Sequence, residues 1–287
     1  MSEGAGSDEE GSLRILAGLL EARTGQQLAT GRAWRIETSL KPLVRERGLA
    51  SIDALAAEIL AGRDVELADR VIDALLNNET FFFRDHGVFD LVDSEALTML
   101  REARQARKRL RIWCAGCSTG QEAYSLAMMI AGDPDRWADW TIEITGTDIS
   151  PAAVARAQAG LYSQFEIQRG LPVRQMMHWF EPEGENWRAT RALRRLVQFR
   201  RHNVLDAPPA PGRFDLVLCR NVLLYFPVPV RTRAFERLHE AIEPDGVLML
   251  GAGETVLGQT ERFISERALR GLYRPTQVLA ERAGQAA

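Results

Sequence analysis

Four short strings carry residue types and spacings that can do chemistry. The first, Arg111–Met128 (RIWCAGCSTGQEAYSLAM), is an apolar run ending at Ala115, a small-residue loop from Gly116 to Gly120, and a helix opening at about Gln121. Glycines in such a strand–loop–helix unit let the backbone approach a nucleotide closely. The loop has neither the three-glycine dinucleotide fingerprint nor the GK[ST] of a phosphate-binding loop, and two glycines alone are weak evidence. The second string, Ile144–Ser150 (ITGTDIS), puts Asp148 at the end of the next strand. An acidic residue there takes ribose hydroxyls in Rossmann-like sheets. The other role open to Asp148 is to cap the following helix, in competition with Ser150. Glu122 stands in the first turn of the loop's helix. It either complements the helix dipole or binds a cationic ligand, and a sulfonium or ammonium is cationic where a pyrophosphate is not. The third string, Phe214–Phe226 (FDLVLCRNVLLYF), reads as a strand that exits into Arg220-Asn221 and ends in Tyr225-Phe226. Polar groups at the carboxyl end of a parallel strand lie where such sheets place ligands. The fourth, Asn77–Asp85 (NNETFFFRD), sets three consecutive Phe beside Asn78, Thr80 and Arg84. Those Phe either pack a seam between domains or form part of a site.

Positioning these strings requires a parallel sheet. After Arg111, short apolar runs (Arg111–Ala115, Thr141–Gly146, Val197–His202, Phe214–Cys219, Val247–Ala252) alternate with helical segments near Gln121–Ala131, Pro151–Gln158 and Val228–Ile242. That alternation predicts βαβ units. Ser150-Pro151 is an N-cap followed by proline at the first helical position, and Pro244-Asp245-Gly246 is a turn between helix and strand. Residues 161–196 break the pattern and read as an insertion, a small antiparallel unit.

Upstream, the texture is helical. Leu13, Leu16, Leu19 and Leu20 recur at helical spacing before Thr24-Gly25, a second helix runs from about Thr30 to Gly48, Ser51 precedes a third that Gly62 closes, and Asp64 caps a fourth. The expected organisation is a disordered tail over 1–12, a helical domain over 13–79, a linker with a linking helix over 80–109, an α/β domain over 110–278, and a tail over 279–287. The fold class is α/β, Rossmann-like, with a helical domain in front and an antiparallel β insertion.

Bulk properties exclude several classes. The net charge of −3 gives no basic field to attract nucleic acid. No apolar run is long enough to span a bilayer, and the polar, acidic opening MSEGAGSDEEGS is neither a signal nor a transit peptide. Three cysteines, Cys114, Cys117 and Cys219, fit a reducing cytoplasm. Cys114 and Cys117 form a C-x-x-C inside the glycine loop, with no second pair or His cluster to make a zinc site. The basic run Arg101–Arg111 reads as a solvated helix face.

The four strings in this order resemble the chemotaxis receptor methyltransferase family, CheR. Its hallmarks stand here as Asn78-Glu79-Thr80-Phe81-Phe82-Phe83-Arg84, Cys117-Ser118-Thr119-Gly120-Gln121-Glu122, Thr147-Asp148, and Cys219-Arg220-Asn221-Val222-Leu223-Leu224-Tyr225-Phe226. The resemblance runs from about residue 13 to 275. It implies methyl transfer from S-adenosylmethionine to glutamate side chains on a chemoreceptor's cytoplasmic helical bundle, with S-adenosylhomocysteine as product. It implies that Asn78, Thr80, Arg84, Gly116, Glu122, Asp148, Asn203, Val204, Arg220 and Asn221 line the cofactor pocket, and that Arg84 and Tyr225 lie nearest the transferred methyl. No metal, nucleic acid or membrane insertion is implied, and a cytoplasmic monomer is expected.

Two features depart from the family. The second helix (AWRIETSLKPLVRERG) has Arg35, Lys41, Arg45 and Arg47 but no dense arginine cluster, and Pro42 is expected to interrupt it. The loop Glu181–Asn186 lacks a Gly-rich extension, so no grip on a receptor's C-terminal pentapeptide is expected. Two other functions fit the same residues: methyl transfer to a non-receptor acceptor, and a non-catalytic scaffold that binds the cofactor.

Overall fold

The computed structural model describes residues 3–28, 33–210, 212–265 and 271–276. The chain divides into two compact units, Met1–Asn77 with Tyr225–Pro227, and Asn78–Leu224 with Val228–Ala287. The predicted tail over 279–287 lies outside the described residues.

Among the described residues the first unit holds four helices: α1 (Glu3–Thr24), α2 (Ala33–Glu46), α3 (Ile52–Leu60) and α4 (Val65–Leu75). Leu16 and Leu20, Ile36 and Leu40, Leu55, and Leu67 and Val71 bury one stripe from each helix. Ser51 and Asp64 cap α3 and α4 by accepting from the Ala54 and Leu67 N–H groups. Two expectations change here. Helix α1 begins at Glu3, ten residues before the start that the leucine spacing gave. Residues 3–12 carry no apolar repeat, so apolar periodicity does not read this part of the helix. Helix α2 runs through Pro42 without interruption. The carbonyl that loses its donor is that of exposed Thr38, while buried Ile36, Leu40 and Leu43 hold the helix in register.

The second unit opens with the Asn78–Asp85 segment and one bent helical stretch, α5 (His86–Leu91), a π-helical turn (Val92–Leu97) and α6 (Thr98–Ala103). This stretch buries Phe89, Val92, Ala96, Leu97 and Leu100 in the unit's core, so residues 80–109 are packed into the second unit. There follow β1 (Arg109–Ala115), α7 (Gln121–Ala131), β2 (Thr141–Asp148) and α8 (Pro151–Ala159). The insertion contains β3 (Leu161–Ser163), α9 (Gln164–Gln168), α10 (Val173–Trp179), β4 (Phe180–Glu183), β5 (Asn186–Ala189) and α11 (Arg191–Leu196). Last come β6 (Val197–Arg201), β7 (Phe214–Cys219), a 3-10 turn (Leu223–Tyr225, its Tyr225 belonging with the first unit), α12 (Val228–Ala241), β8 (Ile242–Leu250), β9 (Phe263–Ser265) and β10 (Leu272–Pro275).

The large sheet has the order β6-β2-β1-β7-β8-β10-β9. The first five strands are parallel; β10 pairs antiparallel with both β8 and β9. From β1 the chain winds outward through β2 to β6, then returns to β7 on the other side of β1. The order therefore reverses between β1 and β7, and sheets of this kind bind ligands outside the carboxyl ends of the strands at that reversal. The expected turn Pro244-Asp245-Gly246 lies inside β8 as an irregularity: Phe214 pairs with Ile242, but Leu216 pairs with Val247. The extra residues carry Asp245 to the Arg104 guanidinium, which it accepts from at 2.7 and 2.5 Å. Arg104 also donates to buried Asp215 at 2.6 Å, so this ion cluster ties α6 to the amino end of the sheet.

The insertion is a three-stranded antiparallel sheet, β3-β5-β4, with its helices. Tyr162 and Phe180 from this sheet meet the Phe82 ring edge-on, with centroids 5.0 and 5.3 Å away. A Cβ on Gly170 would stand 1.9 Å from the Phe82 carbonyl oxygen, so the insertion's backbone lies hard against the Asn78–Asp85 segment. Only glycine fits there, at φ +99°. Phe82 and Phe83 are therefore core residues of the second unit.

Candidate active site

Strands β6, β2, β1 and β7 end side by side, with Ala115 opposite Thr147, Asp148 opposite Arg201, and Cys114 opposite Leu218. Sequence distance is thereby cancelled: the loops after residues 115, 148, 201 and 219 share one edge. Asp148, Asn203, Val204, Arg220, Asn221, Gly116 and Glu122 all lie on or immediately beyond it.

The loop after β1 is held from several sides. The Gly116 and Cys117 N–H groups donate to the Thr147 carbonyl at 2.8 and 2.9 Å. Gly116 has φ +75°, and a Cβ there would stand 2.3 Å from Val222 Cγ2. Glycine is required at 116 because the loop after β7 packs onto it. The Ser118 hydroxyl donates to the Asn78 carbonyl at 2.8 Å, and the Tyr162 hydroxyl of the insertion donates to the Thr119 carbonyl at 2.8 Å. The Phe83 N–H donates to Ser125 Oγ on α7. Asn78 and Thr80 thus lie on a segment stitched to the loop and its helix.

Asp148 is buried, and both of its carboxylate oxygens are engaged. Oδ2 accepts the Ser118 N–H at 2.7 Å and Oδ1 accepts the Ser150 N–H at 2.9 Å. The cap of α8 is Ser150, whose Oγ accepts from the Ala153 N–H. Asp148 is thus a fixed acceptor between the glycine loop and the end of β2, with four acceptor positions on its carboxylate. Beside it, the His202 N–H donates to the Asp148 carbonyl, and the Asn203 side chain turns the chain by accepting from the Leu205 N–H.

Arg220 is the hub on the other side. Its side chain is 2% exposed. Nη1 donates to Glu122 Oε2 at 2.9 Å; Nη2 donates to the Arg84 carbonyl at 2.8 Å and to Asp85 Oδ2 at 2.7 Å. The guanidinium also lies 5.5 Å from the Phe89 ring centre. Burial raises the Glu122 carboxyl above its ordinary range, against the pull of Arg220. Glu122 thus meets a cation of the chain itself. Two carboxylates share this one guanidinium, a carboxylate-rich surround that suits a cationic ligand group better than a phosphate.

Arg84 donates to the Glu79 carbonyl at 2.9 Å, and its guanidinium lies 5.8 Å from the Phe81 ring centre. On the same ring Arg169 of the insertion approaches to 4.4 Å, and it also pairs with Glu79 at 2.6 Å. Tyr225 is grouped elsewhere, in the first unit: its hydroxyl accepts from Asn77 Nδ2 at 2.5 Å and its carbonyl accepts from the Gln27 N–H at 2.8 Å.

One residue of this edge had no sequence signal. Glu254 follows β8 in the loop Gly251-Ala252-Gly253-Glu254, and its carboxylate accepts four backbone N–H groups. Oε2 takes those of Asn221 (2.8 Å) and Gly251 (2.9 Å); Oε1 takes those of Val222 (3.0 Å) and Leu224 (3.2 Å). The cysteines are all buried, and burial pushes each thiol well above its ordinary value.

Residues 78–271 match the family described as CheR methyltransferase, SAM binding domain. A chemotaxis protein methyltransferase of Vibrio parahaemolyticus is 33% identical over 269 residues, which is 93% of this chain and 96% of that one. Chemotaxis protein methyltransferase 1 of Pseudomonas aeruginosa is 35% identical over 245 residues, covering 83% of this chain and 87% of that one. Chemotaxis protein methyltransferase Cher2 of Pseudomonas putida is 32% identical over 252 residues, covering 85% and 90%. With the matched domain spanning the whole carboxyl edge of the sheet, the chain belongs to the CheR family of S-adenosylmethionine-dependent chemotaxis methyltransferases.

Proposed function

We propose that the chain methylates glutamate side chains on the cytoplasmic helical bundle of chemoreceptors, forming methyl esters and releasing S-adenosylhomocysteine. The observation that carries the reading is the gathering, within the matched residues 78–271, of a fixed acceptor (Asp148), a carboxylate-rich cluster around buried Arg220 (Glu122, Asp85) and a glycine loop on one sheet edge. That donor set fits an adenosine sulfonium: Asp148 for the ribose hydroxyls, the carboxylate-rich cluster for the cationic end. Asn78, Thr80, Arg84, Gly116, Asn203, Val204 and Asn221 complete the proposed pocket.

The chemistry asks little of the protein beyond placement. When bound, S-adenosylmethionine supplies an activated methyl whose displacement leaves a neutral thioether. A glutamate carboxylate is already a nucleophile at neutral pH, so no general base is needed. The buried, raised thiols of Cys114, Cys117 and Cys219 offer no competing thiolate. Arg84 docks the acceptor carboxylate. Its hold must stay loose, because the negative charge is being neutralised in the transition state and tight ground-state binding would slow transfer. Motif position assigns Tyr225 to the reacting end as well.

The β4–β5 connection is only Gly184-Glu185, with Gly184 at φ +62°. A two-residue turn leaves no extension to grip a receptor's terminal peptide, and we propose that the bundle alone is recognised. No helix among the described residues is long and apolar enough to cross a membrane; a monomer in the cytoplasm is the proposed state.

The test is calorimetric titration of S-adenosylmethionine and S-adenosylhomocysteine into the wild type and Asp148→Ala, followed by methyl transfer to a purified receptor cytoplasmic fragment. Each charge-assisted bond to a ribose hydroxyl contributes ~1.5–3 kcal/mol, so the variant should bind at least ten-fold more weakly. A folded wild type that binds neither compound would sink the proposal. Binding without turnover on any receptor fragment would favour a scaffold.

A further inference from the structure

We propose that Glu254 is a positioning residue of the cofactor pocket: its carboxylate fixes the loop that carries Arg220 and Asn221. The inference rests on the reading that those two residues border the cofactor.

The argument begins with valence. A carboxylate has four acceptor positions, and Glu254 meets four backbone N–H groups within 2.8–3.2 Å, three of them from the Asn221–Leu224 loop. Turned-in N–H groups of successive residues form a nest that binds an anion, and here the anion belongs to the chain itself. Asn221 stands at φ +59°, a left-handed conformation that asparagine tolerates better than most non-glycine residues. This turn brings its N–H to the Glu254 carboxylate. The reach of the nest extends further, because Val222 Cγ2 occupies the space that a Cβ on Gly116 would need. The carboxylate therefore sets the loop after β7, and through Val222 it seats that loop on the glycine loop after β1.

The surroundings are built for the carboxylate. A Cβ on Gly251 would stand 2.8 Å from Glu254 Oε2 and 2.9 Å from the Asn221 nitrogen, so the residue beneath the clamp must be glycine. Glu254, Asn221 and Val222 are each only half-buried. Replacing the carboxylate opens no core cavity, which separates a positioning role from a stability role. Glutamine has the same shape but one acceptor oxygen. It can serve one pair of N–H groups and must turn its own NH2 donor toward the other pair.

The experiment uses the full chain with Glu254→Gln, Gly251→Ala and Asp148→Ala. Thermal melting and S-adenosylhomocysteine titration are measured on each, with steady-state KM for S-adenosylmethionine and for a receptor fragment. Glu254→Gln should melt close to the wild type, bind S-adenosylhomocysteine at least ten-fold more weakly, and raise the KM for S-adenosylmethionine while leaving the KM for the receptor fragment unchanged. A purely structural role would lower the melting temperature without that split. Wild-type affinity in a folded Glu254→Gln overturns the inference. Should Glu254→Gln fail to fold, Gly251→Ala decides the matter: it keeps the carboxylate but presses a methyl against the clamp, so weakened binding supports the inference and unchanged binding overturns it. Asp148→Ala tests the cofactor reading, because its carboxylate is held by the Ser118 and Ser150 N–H groups and not by those that Glu254 holds; unchanged binding there removes the premise instead.

Discussion

Replacing Arg220 with methionine removes the cation that is hydrogen-bonded to Glu122 in the core. Three losses follow, of unequal size. Asp85 is 39% exposed, and its separation from Arg220 counts as loss of a surface pair, under about 1 kcal/mol. The Arg84 carbonyl loses one donor, about 1 kcal/mol. Glu122 is different: its side chain is 13% exposed, and stripping the partner from a buried ion pair costs ~3–5 kcal/mol. The total at pH 8 should therefore be dominated by Glu122. Burial already holds this carboxyl above its ordinary value, with Arg220 and more weakly Arg84 opposing and Glu254 adding to the rise. An acid whose folded pKa lies above its unfolded one confers stability at low pH, and loses it as the pH climbs from the unfolded value through the folded one. Without Arg220 the folded value rises further, so the window extends upward. The variant's deficit should therefore shrink as the pH falls from 8 to 5.5. Urea unfolding followed by tryptophan fluorescence reads this, since every tryptophan except Trp34 lies in the second unit. In the double variant Glu122→Met/Arg220→Met most of the stability should return, while S-adenosylhomocysteine binding should not. A deficit below about 1 kcal/mol at pH 8, or one equal at both pH values, would refute the reasoning.

Three further outcomes are expected. Arg104→Met leaves buried Asp215 without its guanidinium and should cost ~3–5 kcal/mol in urea unfolding, with S-adenosylhomocysteine affinity unchanged when measured well below the midpoint. Gly116→Ala combines a left-handed φ with a 2.3 Å overlap on Val222; about 2–4 kcal/mol of stability should be lost together with cofactor affinity, as urea unfolding and calorimetry will report. In the native protein, Ellman's reagent should find Cys114, Cys117 and Cys219 unreactive, and all three should react in denaturant; rapid labelling of the folded chain would contradict their burial.

Much of this was legible in the sequence because it depends on local pattern. The strands around Arg111–Ala115, Thr141–Gly146 and Phe214–Cys219 announce themselves as apolar runs, and their exit residues Gly116, Asp148 and Arg220-Asn221 follow directly. What escaped is what local pattern does not encode. Strands β9 and β10 are three and four residues long, too short to show a period. The helix His86–Ala103 gives no warning of the π turn inside it. Pro42 read as a break because propensity ignores packing, and packing prevailed. The Glu254 nest joins residues some thirty positions apart through backbone N–H groups, which have no side-chain signature. Arg220 lies at the edge where the strand exit put it, but its three partners come from two other strings, and only the fold shows that it closes on the chain itself.

Strand β7 carries a charged cluster at each end: Asp215 with Arg104 near its start, and Arg220 with Glu122 and Asp85 just past its finish. Five residues of extended chain span roughly 16 Å. Mutational effects farther apart than about 10 Å with no shared partners usually add. The strand therefore separates two charge systems that share a backbone. Substitutions at the amino end can change how firmly the sheet is held without altering the field at the carboxyl edge, and substitutions at the carboxyl end can retune that field without feedback from the other cluster. A chain built this way can accumulate charge changes at either end independently, and random libraries confined to one end should show no epistasis with libraries confined to the other.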